Sequence, residues 1–114
     1  MNVDGQVFGK PGSESEACRM LERLSGRMHE VLGGLALRCG DEERTAIAST
    51  LVHFRTLEPD EIDEYVATGE WQGRAGGYAI QGRGAALVEK IEGDFWNVVG
   101  LPVPALIRLL KSPC

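Results

Sequence analysis

The feature that most constrains the fold is a pair of runs within residues 28–55. The first, 28–38, carries Val31, Leu32, Leu35 and Leu37. The second, 44–55, carries Thr45, Ile47, Thr50, Val52 and Phe54, a set rich in β-branched residues. Between them stands Cys39-Gly40-Asp41-Glu42, a turn sequence. Together they predict two strands joined as a long antiparallel hairpin. Gly33-Gly34 in the first arm marks either a bulge or a close backbone approach.

The flanking segments supply smaller elements. Residues 3–8 read as a short hairpin with Asp4-Gly5 at its turn. Ser13 and Glu16 form a capping box. Ala17, Met20, Leu21 and Leu24 then recur at i, i+3, i+4 and i+7, so the spacing predicts a helix over 14–25 with Gly26 just past its end. Pro59 suits the first position of a second helix, whose stripe is Ile62, Tyr65 and Val66 and whose end is Gly69. Beyond it, 78–80 and 86–91 read as strands, 94–98 as a helical turn, and 103–110 as a final helix. The order β-β-α-β-β-α-β-β-α predicts one α+β (α/β-like) domain over 1–114, with a mixed β-sheet and flanking helices.

Composition removes several classes of function. A 114-residue chain can bury roughly two-thirds of its unfolded surface in a single core. The formal charge of −5 argues against a nucleic acid polymer as partner, because such binding needs a broad basic face. No apolar run is long enough for a membrane span, and 1–12 has no secretory pattern, so a cytoplasmic location is expected. Cys18, Cys39 and Cys114 are odd in number and widely spaced, which fits reduced thiols, with Cys114 free at the terminus.

Two segments carry candidate chemistry. In Gly9-Lys10-Pro11 a lysine is fixed in a rigid turn, where its ammonium could meet a phosphate; the alternative is a solvated loop lysine. In 68–84, glycines are interleaved with Glu70, Arg74, Gln81 and Arg83. A carboxylate, two guanidinium groups and an amide are the groups that hold a polar phosphorylated ligand, Arg gripping phosphate bidentately and Gln reading a base edge. The alternative is a glycine-rich connection with its charges in solvent. Neither a P-loop nor a dinucleotide fingerprint is present. His29, Glu30 and His53 read as exposed strand positions rather than a metal or general-base site. Ser25, Ser49 and Ser112 lie in no nucleophile elbow. Trp71, Phe95 and Trp96 flank the glycine-rich stretch, with at least two of them expected in the core.

Five blocks, taken together, resemble one family. They are Gly9-Lys10-Pro11; Leu24-Ser25-Gly26-Arg27 with His29-Glu30-Val31; Tyr65 and Gly69-Glu70; Arg74-Ala75-Gly76-Gly77-Tyr78 with Ile80-Gln81-Gly82; and Asn97-Val98-Val99-Gly100-Leu101-Pro102. In order and spacing the series resembles the Maf (septum formation inhibitor-like) nucleoside triphosphate pyrophosphatases. The Glu70-Trp71 and Ile80-Gln81-Gly82 forms look like the dTTP/UTP subgroup. The resemblance implies a Maf/ITPase-like fold and cleavage of a nucleoside triphosphate to monophosphate and pyrophosphate, with Mg²⁺ or Mn²⁺ as cofactor and a house-cleaning role. It implies that Lys10 contacts phosphate, that Gln81 selects the base, that Glu70 and Arg74 line the same cleft, and that Tyr78 and Gly76-Gly77 shape the pocket.

The sequence departs from the family pattern in one respect. The Ser-x-x-Arg-Arg loop and the Asp-Thr pair that supplies the family's catalytic Asp do not occur here. The expectation is therefore the C-terminal portion of a Maf-like domain lacking its N-terminal half, with no catalytic residue assigned. Two readings stay open: a pyrophosphatase, or a catalytically incomplete nucleotide-binding or dimerising remnant. An exposed sheet edge would make the chain marginally stable or a homodimer.

Overall fold

The structure, a computed structural model, describes residues 1–3 and 5–111. Strands β1 (Asn2–Val3) and β2 (Gln6–Val7) precede helix α1 (Glu14–Leu24). The long strands β3 (Met28–Cys39) and β4 (Glu42–Phe54) lead into helix α2 (Pro59–Ala67). After a glycine-rich segment with 3₁₀ turns at Ala75–Gly77 and Arg83–Leu87 come β5 (Val88–Glu92), α3 (Phe95–Val99) and α4 (Val103–Lys111).

The strands form one sheet in the order β2-β1-β3-β4-β5. Every pairing is antiparallel. The α+β architecture with flanking helices is as the sequence predicts, but the sheet is not mixed. The strand expected at 78–80 does not form, and without it no crossover returns a strand in parallel. Those residues are buried between the two 3₁₀ turns instead, with Tyr78 extended and Ile80 in a turn. The strand expected at 86–91 starts at Val88.

The hairpin is continuous from Met28↔His53 to Cys39↔Glu42, and Gly40 closes its turn at φ +62°. A residue with φ > 0 relieves the turn's twist mismatch, which is glycine's role here. The register runs unbroken through Gly33 and Gly34, so the close-approach alternative holds at Gly33. A Cβ there would run into the side-chain amide of Asn97.

Local chemistry explains α1. Ser13 is its N-cap and accepts from Glu16 N at 3.2 Å. Glu16 turns back to accept from Gly12 N at 2.6 Å, one residue earlier than a standard capping box. Ala17, Leu21 and Leu24 are fully buried, as their spacing predicts. They pack with Ile62, Tyr65 and Val66 of α2 and with Val3, Val52 and Phe54 from the sheet to form one core. In α2, Pro59 takes the first turn and Glu58 with Glu61 makes the capping box.

Three side chains depart from expectation. His29 is 1% exposed, not a surface strand residue. Its ring makes edge contacts with Phe54 and Tyr78, at centroid distances of 5.2 and 5.5 Å. Of the three tryptophan and phenylalanine residues near the glycine-rich stretch, Trp71 alone is in the core, held by its indole N–H on Val66 O at 2.9 Å. Phe95 and Trp96 stack edge-to-face on each other and stay 40% and 49% exposed.

Cys39 is disulfide-bonded, which corrects the reading of reduced thiols at that position, whereas Cys18 is free. Asp4, Ser112 and Cys114 lie outside the described residues. No helix among the described residues is long and apolar enough to cross a membrane.

Candidate functional site

A cavity of about 540 Å³ opens where three elements meet. Val31 and Gly33 of β3 form one wall, Val98, Val99 and Gly100 at the end of α3 form a second, and the 73–82 loop forms the third. Asn97 fixes the first two walls to each other. Its amide Nδ2 donates to Val31 O at 3.0 Å, Ala48 O at 3.2 Å and Thr50 Oγ1 at 3.2 Å. Thr50 in turn donates to Asp94 O at 2.9 Å. Asp94 caps α3 by accepting from Trp96 N. The short helix is therefore bolted across the hairpin by side chains, and the buried Asn97 amide nitrogen finds its acceptors there.

The loop wall carries the candidate residues. Arg74 and Gln81 both line the cavity and are exposed, and neither side chain has a hydrogen-bond partner among the described residues. Tyr78 lines the cavity from its buried side. Its hydroxyl meets His29 Nε2 at 2.6 Å, tying the loop to the start of β3. Burial pushes the Tyr78 hydroxyl pKa up, so this phenol stays neutral. Burial, the N-terminal ammonium and His53 together lower His29 from 6.5 to about 4.

Glu70 also reaches the cavity, but its carboxylate is already engaged. It accepts from Tyr65 Oη at 2.8 Å, from Arg83 N at 3.1 Å and from Gly84 N at 3.0 Å. Burial pushes its carboxyl up; the hydrogen bonds from Tyr65, Gly84 and Arg83 and the charge of Arg83 outweigh this and hold it below the usual range. Lys10 does not line the cavity. Its loop is nevertheless joined to the site's rim, because Gly76 N donates to Gly9 O at 3.0 Å and Pro11 packs against Gly77. Lys10 itself is exposed.

Of the four site residues drawn from the sequence, the fold brings Glu70, Arg74 and Gln81 to one cavity and leaves Lys10 beside it. Tyr78, expected to shape the pocket, lines the cavity, but sequence reading missed Asn97 and the contact of His29 with Tyr78 as parts of the site's frame. The signal for Asn97 was present: a lone amide in an apolar Phe-Trp-Asn-Val-Val run has to find partners when that run packs.

These features match a known family. The chain belongs to the Maf-like protein family, whose pattern matches residues 2–113. It is 53% identical over 110 residues to the dTTP/UTP pyrophosphatase of Symbiobacterium thermophilum, covering 96% of this chain and 57% of that protein. It is 47% identical over 111 residues to the dTTP/UTP pyrophosphatase of Pyrococcus furiosus, covering 97% and 58% respectively. It is 50% identical over 109 residues to that of Methylococcus capsulatus, covering 96% and 54%. The chain thus spans little more than half the length of these relatives.

Proposed function

We propose that this chain forms the base-binding side of a pyrimidine nucleoside triphosphate pyrophosphatase acting on dTTP and UTP. The observation that carries the reading is the shared cavity of Arg74 and Gln81, whose side chains have no hydrogen-bond partner among the described residues and whose opposite walls are apolar. A planar base suits the valine walls Val31, Val98 and Val99. The Gln81 amide offers one donor and one acceptor, the complement of a pyrimidine edge. Arg74 in the cavity and Lys10 beside it are cations that would serve the phosphates, Arg74 with a bidentate fork and Lys10 as a point charge. The reaction is hydrolysis of the α–β phosphoanhydride to a monophosphate and pyrophosphate.

The donor set of the described residues does not by itself fit a resident divalent cation. No three His, Cys, Asp or Glu side chains cluster among them. Glu70, the one carboxylate among the described residues lining the cavity, already accepts three hydrogen bonds. Mg²⁺ or Mn²⁺ would then arrive on the oxygens of the triphosphate itself. The same engagement of Glu70 favours a second reading, in which these residues bind the nucleotide without supplying a general base.

Calorimetric titration with UTP, dTTP and CTP, run beside pyrophosphate release in Mg²⁺ or Mn²⁺, tests both readings. Binding of UTP and dTTP, weakened by Lys10→Ala and made indifferent to the base by Gln81→Ala, supports the nucleotide site. Pyrophosphate release then separates the enzyme from the binding remnant. A folded chain that takes up no nucleotide refutes both. Sedimentation velocity on the same sample reports whether a homodimer forms.

A further inference from the structure

Gln81 is the middle of a short arch whose two feet are held by one pair of side chains. On one side, Ala79 N donates to Tyr65 Oη at 2.9 Å. On the other, Arg83 N and Gly84 N donate to the two oxygens of Glu70. The pair is closed on itself, because Tyr65 Oη donates to Glu70 Oε1 at 2.8 Å. Within the arch Gly82 N donates to Ala79 O at 3.2 Å.

The clamp stands on rigid ground. Tyr65 belongs to α2 and is 5% exposed. Glu70 is set by Thr68, whose hydroxyl donates to Tyr65 O at 2.6 Å and accepts from Glu70 N at 3.2 Å. The arch fits the clamp with no slack. A Cβ on Gly84 would meet the Ala79 backbone, and one on Gly82 would run into the Glu70 carboxylate. An ionised carboxylate is acceptor-only, so Glu70 can serve all three donors at once. Three of the backbone N–H groups around Gln81 are thus already engaged, by Tyr65 and Glu70.

We propose that Tyr65 and Glu70 are positioning residues that set pyrimidine selectivity, acting through the backbone on either side of Gln81 and touching no substrate themselves. The proposal rests on the reading of Gln81 as the base-facing amide. An amide discriminates between uracil and cytosine only if its donor and acceptor are aimed, since either can be swapped by rotating the group. The clamp fixes the arch from which that aim is taken.

The test uses Tyr65→Phe, which keeps the ring in the core but removes both hydrogen bonds of the hydroxyl, and Glu70→Gln, whose amide nitrogen cannot accept from a backbone N–H. UTP and CTP affinities are measured by calorimetry, each alone and combined with Gln81→Ala. Hydrogen exchange of 79–84 is followed in the free protein. The expected result is a UTP affinity lower by about tenfold with CTP much less affected. Exchange in the arch should be faster, and Gln81→Ala should add nothing further in the Tyr65→Phe background. An equal loss for both nucleotides, or full additivity with Gln81→Ala, would mean a merely structural clamp and overturn the proposal. An unchanged ratio with a still-protected arch would overturn it as well. If the unsubstituted chain binds UTP and Gln81→Ala leaves its selectivity intact, the underlying reading of Gln81 fails instead. If Glu70→Gln does not fold, Tyr65→Phe decides alone.

Discussion

Acidification should unfold this protein through His29. The imidazole is 1% exposed, meets Tyr78 Oη through Nε2, and leaves Nδ1 buried with no hydrogen-bond partner among the described residues. Burial first, then the N-terminal ammonium and His53, lower its folded pKa from 6.5 to about 4. Between those values the unfolded chain takes up a proton that the folded chain refuses, so stability falls as pH falls. At about 1.4 kcal/mol per pH unit, the loss is about 2 kcal/mol between pH 6.5 and 5, and approaches 3 kcal/mol near pH 4. Carboxylates with lowered pKa, Glu70 among them, lose stability in the same direction but lower in pH. The comparison is therefore with His29→Gln, which can still reach toward Tyr78 but does not titrate. Urea midpoints at pH 7, 6, 5 and 4.5 give the stability of each protein. The unsubstituted chain should be more stable at pH 7 and should lose that advantage by pH 5. Parallel curves, or an NMR titration of His29 with its midpoint near 6.5, would refute the reasoning.

Other substitutions test the frame around the cavity. Gly33→Ala places a methyl against the Asn97 amide, and overpacking of this kind should lower stability by about 1–3 kcal/mol in urea unfolding. Asn97→Ala leaves Val31 O and Ala48 O without that donor and should cost about 1–3 kcal/mol, with faster hydrogen exchange in α3. Leu21→Ala opens a void in a fully buried position and should cost about 2–5 kcal/mol by the same measurement. Ser13→Ala removes the α1 cap and should cost about 1 kcal/mol, seen as a lower melting temperature.

The elements legible in the sequence are those whose pattern is local. The hairpin of β3 and β4 announced itself by an apolar run and a β-branched run on either side of a glycine turn. Helix α1 did so by a cap followed by apolar residues on one face. The glycine-rich segment misled for a physical reason. Tyr78, Ala79 and Ile80 are apolar and buried like strand residues, but their backbone is held by a tyrosine hydroxyl and by glycine turns, not by a neighbouring strand. His29 looked exposed because it stands beside Glu30 and the partners of its ring are distant in sequence. Only the fold brings Phe54 and Tyr78 against its ring. Arg74 and Gln81 could be named from residue type and family resemblance. That Glu70 spends its carboxylate on the loop was not legible, since its three donors come from positions 65, 83 and 84.

The cavity draws its lining from both ends of the chain, from Met1 through Val31 and Gln81 to Gly100. The hairpin beside it is the opposite case, since each rung from Cys39↔Glu42 outward brings together residues only slightly farther apart than the last. Local pairings close quickly, whereas joining distant segments must wait for loop-closure entropy to be overcome. In refolding, the hairpin should therefore zip first and ligand-binding competence should appear last. A nascent or partly unfolded chain would then show native strand signals well before it could retain a nucleotide.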